Sequence, residues 1–567
     1  MTDEHDVAEP GRPGSLDPAE LGFTPARPVP WLAPFLLLST GLRTLLAALF
    51  GAYLDKRELQ HTFPHDVHCQ PGTDGELWLD YIADLGDGFH GTYSMAYLLA
   101  QPELAVDGHR LPRGRVLMLG GDQVYPTANT QAYENRFKGP YTAALPTPPE
   151  DGPRPTLYAL PGNHDWYDGL TAFLRLFVRE GTDNIGGWRT EQSRSYFVIE
   201  LPQRWWLVAI DEQSGAYLDD PQLSYFREAA TRMRPGDKVI LATPAPGWVK
   251  ADYRPEAYET IDFFIRTILA PAGVRVPLML AGDLHHYARY SGADRQLITC
   301  GGGGAYLAPT HTLPAQLTVP PPDTIARKKT KSQLYDLSAR FPSAERSRRL
   351  SWGVFGRLPF RNPGFATFLG IVHTLLMLAM AGVALGTNEV ARRLFSIPIA
   401  VMVLVVMGSA ITFAKPPNVT RKRHARHWLL GIGHGVAHLG LGALCTWAWL
   451  RLPFMDWPWP LPLVAAAVVY GPVIGFVATQ LTCLYLLISG NVGVNANELF
   501  AGQGIDDYKS FLRLHFAADG SLTIYPVALE KVSHDWRANP GGRRDQPWIE
   551  PVRPLRPRLA EPPITIR

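Results

Sequence analysis

Four short apolar runs in the first half of the chain have the length and composition of buried β-strands. They lie at residues 78–82, 115–119, 156–160 and 277–280. Short, largely apolar runs of this length are typical of strands that are covered on both faces. Segments with helical periodicity alternate with them, at residues 92–100, 169–179, 221–233 and 257–269. This alternation predicts an α/β domain with helices packed outside its sheets.

A different apolar pattern occupies the second half of the chain. Four long segments contain no Asp, Glu, Lys or Arg, at residues 364–386, 394–414, 428–450 and 461–489. Each can cross a hydrocarbon layer roughly 30 Å thick, so we predict an α-helical membrane domain of about four spans. His373, His434 and His438 fall inside these segments. Hydrogen bonding between helices is the favoured interpretation of these histidines, and haem or metal ligation is the alternative.

Residues 31–54 form one further apolar stretch. Small polar residues and Arg43 fall on one side of a helix drawn through it, opposite Phe35, Leu38 and Leu42. An arginine near the middle of a membrane span costs about 2.5 kcal/mol or more. An amphipathic helix that lies on the membrane or against the α/β domain is therefore favoured over a fifth span.

The net charge of +2 conceals an uneven distribution of basic residues. They cluster before the first predicted span and between the second and third, at Lys328, Lys329, Lys331, Arg346, Arg348, Arg349, Arg357 and Arg361, and at Lys415, Arg421, Lys422, Arg423 and Arg426. The positive-inside rule then predicts an integral protein of the cell membrane with both chain ends in the cytoplasm. The four widely spaced cysteines and the absence of signal-peptide features near the N-terminus agree with a cytoplasmic α/β domain.

Candidate chemistry lies where the four predicted strands end. The motifs are Ala83-Asp-Leu-Gly-Asp-Gly88, Leu119-Gly-Gly-Asp-Gln-Val-Tyr125, Leu160-Pro-Gly-Asn-His-Asp-Trp166 and Ala281-Gly-Asp-Leu-His-His-Tyr287. We expect these polar clusters to meet at the C-terminal edge of one sheet. Carboxylate, amide and imidazole ligands suit Mn, Fe, Zn or Mg rather than a metal that prefers thiolates. Such cations support phosphoester hydrolysis by metal-bound hydroxide.

In order and spacing the motifs resemble those of the calcineurin-like metallophosphoesterase superfamily, and most closely the purple acid phosphatase pattern. The resemblance covers roughly residues 77–310. It implies a two-sheet sandwich flanked by helices, and two divalent metal ions that clamp a phosphate. Together with the apolar segments, it gives the expected fold class: α/β, with an added membrane domain.

The resemblance also implies a role for each motif residue. The first metal would be held by Asp84, Tyr125 and His285, with Asp122 as the bridge to the second metal and Asn163 as a further ligand of that metal. His164 would protonate the leaving oxygen, and Asp165 would orient His164.

The sequence departs from the family pattern at two positions. The stretch 239–248 should contain a lone histidine, and Pro244 occupies its place. Asp283 replaces the first histidine of the last motif. With Asp122, Asn163 and Asp283 as ligands the second site would be all oxygen, which favours Mn or Mg over Zn. The alternative is a second site that binds no metal.

These patterns divide the chain into seven parts: a disordered tail (1–25), an amphipathic segment (26–76), the phosphoesterase domain (77–313), a Pro-rich then basic linker (314–361), four spans (362–490), a small cytosolic helix and hairpin around Asp519-Gly520 (491–538), and a disordered tail (539–567). The expected function is membrane-anchored hydrolysis of a phosphate ester or anhydride, with Mn as the favoured cofactor. Expected partners are membrane lipids and a phosphorylated small molecule or lipid, and no pattern indicates nucleic-acid binding. The alternative is a non-catalytic membrane sensor or scaffold.

Overall fold

The computed structural model describes residues 12–50, 60, 65–150, 152–178, 184–212, 218–324, 326–414 and 421–567. In this part the strands are β1 (His68–Cys69), β2 (Leu77–Ile82), β3 (Glu103–Val106), β4 (His109–Pro112), β5 (Val116–Leu119), β6 (Thr156–Ala159), β7 (Asn184–Ile185), β8 (Trp188–Thr190), β9 (Phe197–Leu201), β10 (Trp205–Ala209), β11 (Lys238–Ala242), β12 (Arg275–Ala281), β13 (Tyr287–Ser291), β14 (Gln296–Cys300), β15 (Gln316–Val319), β16 (Gln333–Phe341), β17 (Lys509–Phe516), β18 (Leu522–Leu529), β19 (Trp536–Ala538), β20 (Ile549–Pro551), β21 (Arg558–Leu559) and β22 (Ile564–Ile566).

The helices of the same part are α1 (Pro18–Leu21), α2 (Pro34–Phe50), α3 (Phe89–Ala100), α4 (Thr130–Tyr133), α5 (Gly139–Ala144), α6 (Asn163–Trp166), α7 (Thr171–Phe177), α8 (Asp220–Ala230), α9 (Gly247–Lys250), α10 (Glu259–Phe264), α11 (Ala344–Ser351), α12 (Val354–Arg361), α13 (Pro363–Leu385), α14 (Glu389–Ala414), α15 (Arg421–Trp449), α16 (Leu461–Ala465), α17 (Gly471–Asn491) and α18 (Ala496–Ala501).

Two large sheets face each other across one hydrophobic core. The first runs β1-β9-β10-β11-β12-β14-β13-β16-β15, and the second runs β21-β18-β17-β2-β5-β6-β8-β7 with β22 also paired to β18. The shared core contains Tyr81 and Met118 from the second sheet and Leu207, Ile240 and Leu280 from the first. Helices α3, α5 and α7 cover the outer face of the second sheet, while α8 and α10 cover that of the first. The predicted mixed α/β architecture is therefore confirmed.

The four predicted strands are present as β2, β5, β6 and β12, but they do not share a sheet. Strands β2, β5 and β6 are parallel neighbours in the second sheet. Strand β12 pairs with β11 and β14 in the first sheet. The expectation of a single sheet edge was therefore wrong, because the polar clusters are brought together where the edges of two facing sheets meet.

The predicted C-terminal hairpin is confirmed as β17 and β18, and it extends the second sheet. Strand β17 pairs antiparallel with β2, with Leu514 opposite Leu79. The buried faces of β17 and β18 contribute Leu512, Phe516 and Ile524 to the core between the sheets. The hairpin therefore gains from the α/β domain the apolar cover that two strands alone lack.

Three segments expected to be linker or disordered tail are ordered where the structure describes them. Strand β16, inside the predicted linker 314–361, pairs along β13, and α11 and α12 follow it. In the tail 539–567, β21 and β22 pair with β18, which offers a free edge of backbone donors and acceptors. In the segment 1–25, Arg12 donates to the Pro547 carbonyl at 2.8 Å and Leu21 is buried; residues 1–11 lie outside the described part.

In the described part, four helical segments are long and apolar enough to cross a membrane: Pro363–Leu385, Glu389–Ala414, Ala425–Trp449 and Leu461–Asn491. This agrees with the predicted spans. His373 and His438 join α13 to α15 through ring nitrogens 3.1 Å apart, and His438 contacts His434 at 3.0 Å. The predicted hydrogen bonding between helices is therefore present at His373 and His438, while the alternative of haem or metal ligation stays a prediction.

The stretch 31–54 contains helix α2, whose apolar side chains Phe35, Leu38 and Leu42 are exposed. Residues 51–54 lie outside the described part. The helix begins shortly after a segment that packs on the α/β domain, where the Val29 backbone N–H donates to the Asp87 side chain at 2.7 Å. Its placement on a membrane surface stays a prediction.

Candidate metal centre

Three aspartates lie two or three residues beyond the ends of strands, where the edges of the two sheets meet. Asp84 comes after β2, Asp122 after β5 and Asp283 after β12. Their φ angles are 62°, 51° and 67°, in the left-handed region that side-chain-bearing residues seldom adopt. Backbone strain of this kind persists only when the surroundings fix it, and it concentrates at functional sites. Here the Asp283 backbone N–H donates to Asp84 Oδ2 at 2.8 Å, which links the ends of the two sheets.

Three of the predicted ligands surround the hydroxyl of a fourth, Tyr125. That oxygen lies 2.8 Å from Asp84 Oδ1, 3.2 Å from Asp122 Oδ2 and 3.0 Å from His285 Nε2. His285 Nε2 is itself 3.6 Å from Asp84 Oδ1. All four side chains are buried. The structure thus brings together the predicted first-metal ligands and the predicted bridging carboxylate.

Burial shapes the electrostatics of this group. It raises the pKa of Asp84 well above its usual range, and the neighbouring Asp122 and Asp283 carboxylates raise it further. Burial also raises the pKa of Asp122, and it raises that of Tyr125 well above 10, so the phenol keeps its proton. It lowers the pKa of His285 well below 6.5, which leaves that imidazole neutral. A cation bound here would offset the cost of ionising two buried carboxyls side by side.

The orientation of His285 suits a metal ligand. Its Nδ1 lies 3.0 Å from the Tyr306 carbonyl oxygen, so the neutral ring donates from Nδ1 and directs the Nε2 lone pair at Tyr125 and Asp84. Metal-binding histidines are commonly fixed by a backbone carbonyl in this way. No group of three or more His, Cys, Asp or Glu side chains in the described ranges is placed to hold a metal by itself. The Tyr125 phenol supplies a fourth donor, and it lies between the others. The donor chemistry of this group therefore fits one divalent cation.

The residues predicted for a second metal are arranged differently. Asp283 Oδ2 lies 2.8 Å from the Lys250 ammonium, and the Asn163 amide donates to the Tyr167 hydroxyl at 3.3 Å. Burial lowers the pKa of Lys250, but Asp283 outweighs it and the net shift is upward. The donors of the expected second site therefore do not fit a second cation as they stand.

His164 lies over this group with a defined orientation. Its backbone N–H donates to Asp122 Oδ1 at 2.8 Å, and its Nδ1 lies 2.7 Å from the Pro126 carbonyl oxygen. In the neutral ring the proton is therefore on Nδ1, and Nε2 is the atom that can exchange a proton with a ligand. The ring packs against those of Tyr125 and Trp31, with centroids 4.4 Å and 5.7 Å away.

Asp165 does not orient His164, contrary to the sequence-based expectation. Its fully buried carboxylate accepts from the backbone N–H groups of Gly162 at 2.8 Å and Gln123 at 3.3 Å, and from the Tyr133 hydroxyl at 2.5 Å. Asp165 thus ties the third motif to the second, and the Pro126 carbonyl holds the imidazole instead. Although Asp165 lies on the same short helix α6 as His164, its side chain points away from the imidazole and toward the backbone of Gly162 and Gln123.

The structure adds several residues that sequence reasoning missed. Trp31 packs edge-on against Tyr306 with centroids 5.3 Å apart, and its indole N–H donates to the buried Asp87 at 3.1 Å. Glu212, just after β10, has its pKa raised by burial to about 8, although nearby Lys250 lowers it. Burial lowers the pKa of Lys509 on β17 to about 8. Lys250 was missed as well, although it is the one charged residue between positions 239 and 251.

The site also adjoins the ends of the apolar helices. The Tyr306 ring packs on His285 with centroids 4.6 Å apart, and its hydroxyl donates to Asn497 at 3.0 Å. Asn497 lies in α18, which begins five residues after α17 ends at Asn491. Trp31 stands three residues before α2 begins at Pro34. The candidate centre is therefore in direct contact with segments that connect to the membrane domain.

Comparisons with known proteins give little further guidance. No family model matches the chain, and no curated protein matches it. Among solved structures the chain is similar to GAP50, the anchor in the inner membrane complex of Plasmodium, at 15% identity over 41% of this chain and 74% of that one, with a TM-score of 0.30. A similarity this low supports no conclusion about fold or function.

Proposed function

We propose that this protein is a membrane-anchored, metal-dependent phosphoesterase that hydrolyses a phosphate ester or anhydride. The observation that carries the proposal is the grouping of Asp84, Asp122, Tyr125 and His285 around a common point, on strand ends whose aspartates have left-handed φ angles. These donor types and their order along the chain are those of the calcineurin-like metallophosphoesterases. The position of His164 beside the group adds the acid that such hydrolysis uses.

Each side chain has a distinct task in this proposal. Asp84, Asp122, Tyr125 and His285 would hold a divalent cation, which supplies a nucleophile at neutral pH and polarises a phosphoryl oxygen. The Asp283 N–H keeps Asp84 in place, and the Tyr306 carbonyl keeps the His285 lone pair on the cation side. His164, protonated on Nε2, would donate that proton to the leaving oxygen while Nδ1 stays bonded to Pro126.

The surroundings of the site favour a lipid phosphate or lipid pyrophosphate as substrate. Tyr306 connects it to α18 and Trp31 connects it to the start of α2, so both contacts lie within a few residues of apolar helices. A site in this position would meet headgroups at the membrane surface without extracting the lipid. The clustering of Lys and Arg at span ends supports a cytoplasmic location for the catalytic domain.

The test is a substrate screen with the full-length protein in nanodiscs, supplied with Mn. Lipid pyrophosphates, lipid monophosphates, cyclic nucleotides and an aryl phosphate would be compared, each with and without a chelator. Chelator-sensitive release of phosphate from any of them supports the proposal, and preference for the lipids supports the substrate class. Tight Mn binding without turnover of any substrate would instead favour the non-catalytic sensor or scaffold.

A further inference from the structure

The strand end that lacks the expected histidine supplies a lysine instead. After β11 the chain passes through Pro244, which lies beside the second motif: a Cβ added to Gly121 would be 3.7 Å from the Pro244 Cα. The chain then forms α9, a single turn that ends at Lys250. The loop that should deliver an imidazole to the second metal site thus delivers an ammonium group to the same edge of the sheets.

Lys250 pairs with the other residue that departs from the family pattern. Its Nζ lies 2.8 Å from Asp283 Oδ2, and the two side chains are 26% and 21% exposed. The backbone N–H of Asp283 donates to Asp84. Asp283 therefore contacts both the Lys250 ammonium and a proposed ligand of the first cation. The electrostatic influence of Lys250 extends to Glu212 on the neighbouring strand end. Compared with the family pattern, an ion pair between Lys250 and Asp283 therefore replaces two imidazoles, and the Lys250 ammonium lies among carboxylates.

We propose that the Lys250 ammonium takes the place of the second metal ion, so that the centre binds a single divalent cation and Lys250 binds a phosphate oxygen. This inference rests on the proposed phosphoesterase function and deepens it. An ammonium has three donors, so one can remain on Asp283 while another meets the substrate. It also repels a divalent cation that would use Asp283 as a ligand. The expectation of two metal ions is thereby replaced with one metal ion and one fixed cation.

The experiment counts metal ions and measures phosphate binding in full-length protein in nanodiscs. Wild type would be compared with Lys250→Met, Lys250→Arg and Lys531→Met, the last removing an exposed lysine that is 2.5 Å from Asp507. Mn content would be measured by elemental analysis under saturating Mn. Electron paramagnetic resonance would distinguish the sextet of an isolated Mn(II) ion from the multiline spectrum of a coupled pair. Calorimetry would give the affinity of the Mn-loaded protein for inorganic phosphate.

We expect one Mn per chain and the isolated-ion spectrum for wild type, Lys250→Arg and Lys531→Met. Lys250→Met should admit a second Mn and show the coupled spectrum at high Mn, and before that ion binds it should hold phosphate at least tenfold more weakly. Two coupled Mn ions in wild type would overturn the inference while leaving the proposed function intact. Unchanged Mn content and phosphate affinity in Lys250→Met would overturn it as well. A wild type that binds no Mn would contradict the proposed function itself.

Discussion

The guanidinium of Arg513 forms a two-pronged ion pair with the carboxylate of Asp80. Nε lies 2.7 Å from Oδ1 and Nη2 lies 2.8 Å from Oδ2, and both side chains are almost wholly buried. Arg513 belongs to β17, which follows the membrane helices, whereas Asp80 belongs to β2, the strand that leads to Asp84. A third bond from Arg513 to the Leu111 carbonyl completes the contact. The pair therefore fastens the C-terminal hairpin to the strand that positions the first predicted metal ligand.

Replacement of Arg513 with Met should destabilise the α/β domain by about 3–5 kcal/mol, because Asp80 would be left buried without its partner. The measurement is the free energy of unfolding by denaturant in nanodiscs, followed by tryptophan fluorescence. Asp80→Leu combined with Arg513→Met keeps the two side-chain shapes but removes both charges, so it should regain most of the lost stability. A double variant no more stable than Arg513→Met would show that the loss comes from other bonds of these side chains, such as that from Arg513 to the Leu111 carbonyl, and not from an unpaired charge.

Asp122→Asn should abolish turnover and lower the Mn content, since the carboxylate contributes a charge and an oxygen ligand beside Tyr125. Asp165→Asn is the matched control, because Asp165 accepts from the backbone N–H groups of Gly162 and Gln123 and forms no hydrogen bond with the proposed ligands. It should lower stability and retain bound Mn. Full turnover by the Asp122 variant would contradict the proposed centre.

His164→Ala should leave the metal content unchanged while reducing turnover by about 10²-fold for substrates with poor leaving groups. The reduction should be much smaller for an aryl phosphate whose leaving group needs no proton. The measurement is kcat for a series of phosphate esters that differ in leaving-group acidity. Equal losses across the series would assign His164 a structural role, for instance in packing against Tyr125 and Trp31.

Burial lowers the pKa of Lys509 to about 8, and this gives a stability change of predictable sign. The unfolded chain keeps the proton up to the ordinary lysine value near 10.5, whereas the folded protein releases it near 8. Between these pH values the unfolded state binds more protons, so the free energy of unfolding should rise with pH, by about 3 kcal/mol in total. Chelator-treated wild type and Lys509→Met should differ in this slope, and parallel pH profiles would contradict the assignment.

Local patterns predicted the elements that depend on local sequence. The strands that lead to Asp84 and Asp122, the four apolar helices and the hairpin around Asp519-Gly520 follow from the length and periodicity of apolar runs. The pairing of strands into two sheets was not predictable in the same way. Whether β12 joins β5 or β11 depends on contacts between residues far apart in the chain.

The expectations that were wrong also concerned contacts between residues far apart in the chain. A Pro- and Arg-rich composition favours disorder for a free segment, yet β22 gains backbone partners from the edge of β18. Lys250 and Asp283 form one contact although 33 positions separate them, which no spacing rule indicates. The motifs located the centre, and only the folded chain shows which charges face one another inside it.

The orientation of the membrane domain gives the last prediction. Strand β17 pairs with β2, so residues before the first span and after the fourth lie on one side, which requires an even number of spans between them. By the positive-inside rule, the basic clusters predict that this side is cytoplasmic. Cysteines at Asn388 and Asp456, between spans, and at Asp519, in the hairpin turn, would be introduced singly into a variant without native cysteines. In intact cells an impermeant thiol reagent should label positions 388 and 456 and spare position 519 until the membrane is permeabilised. Labelling of position 519 alone would place the proposed phosphoesterase outside the cytoplasm and restrict its substrates to that compartment.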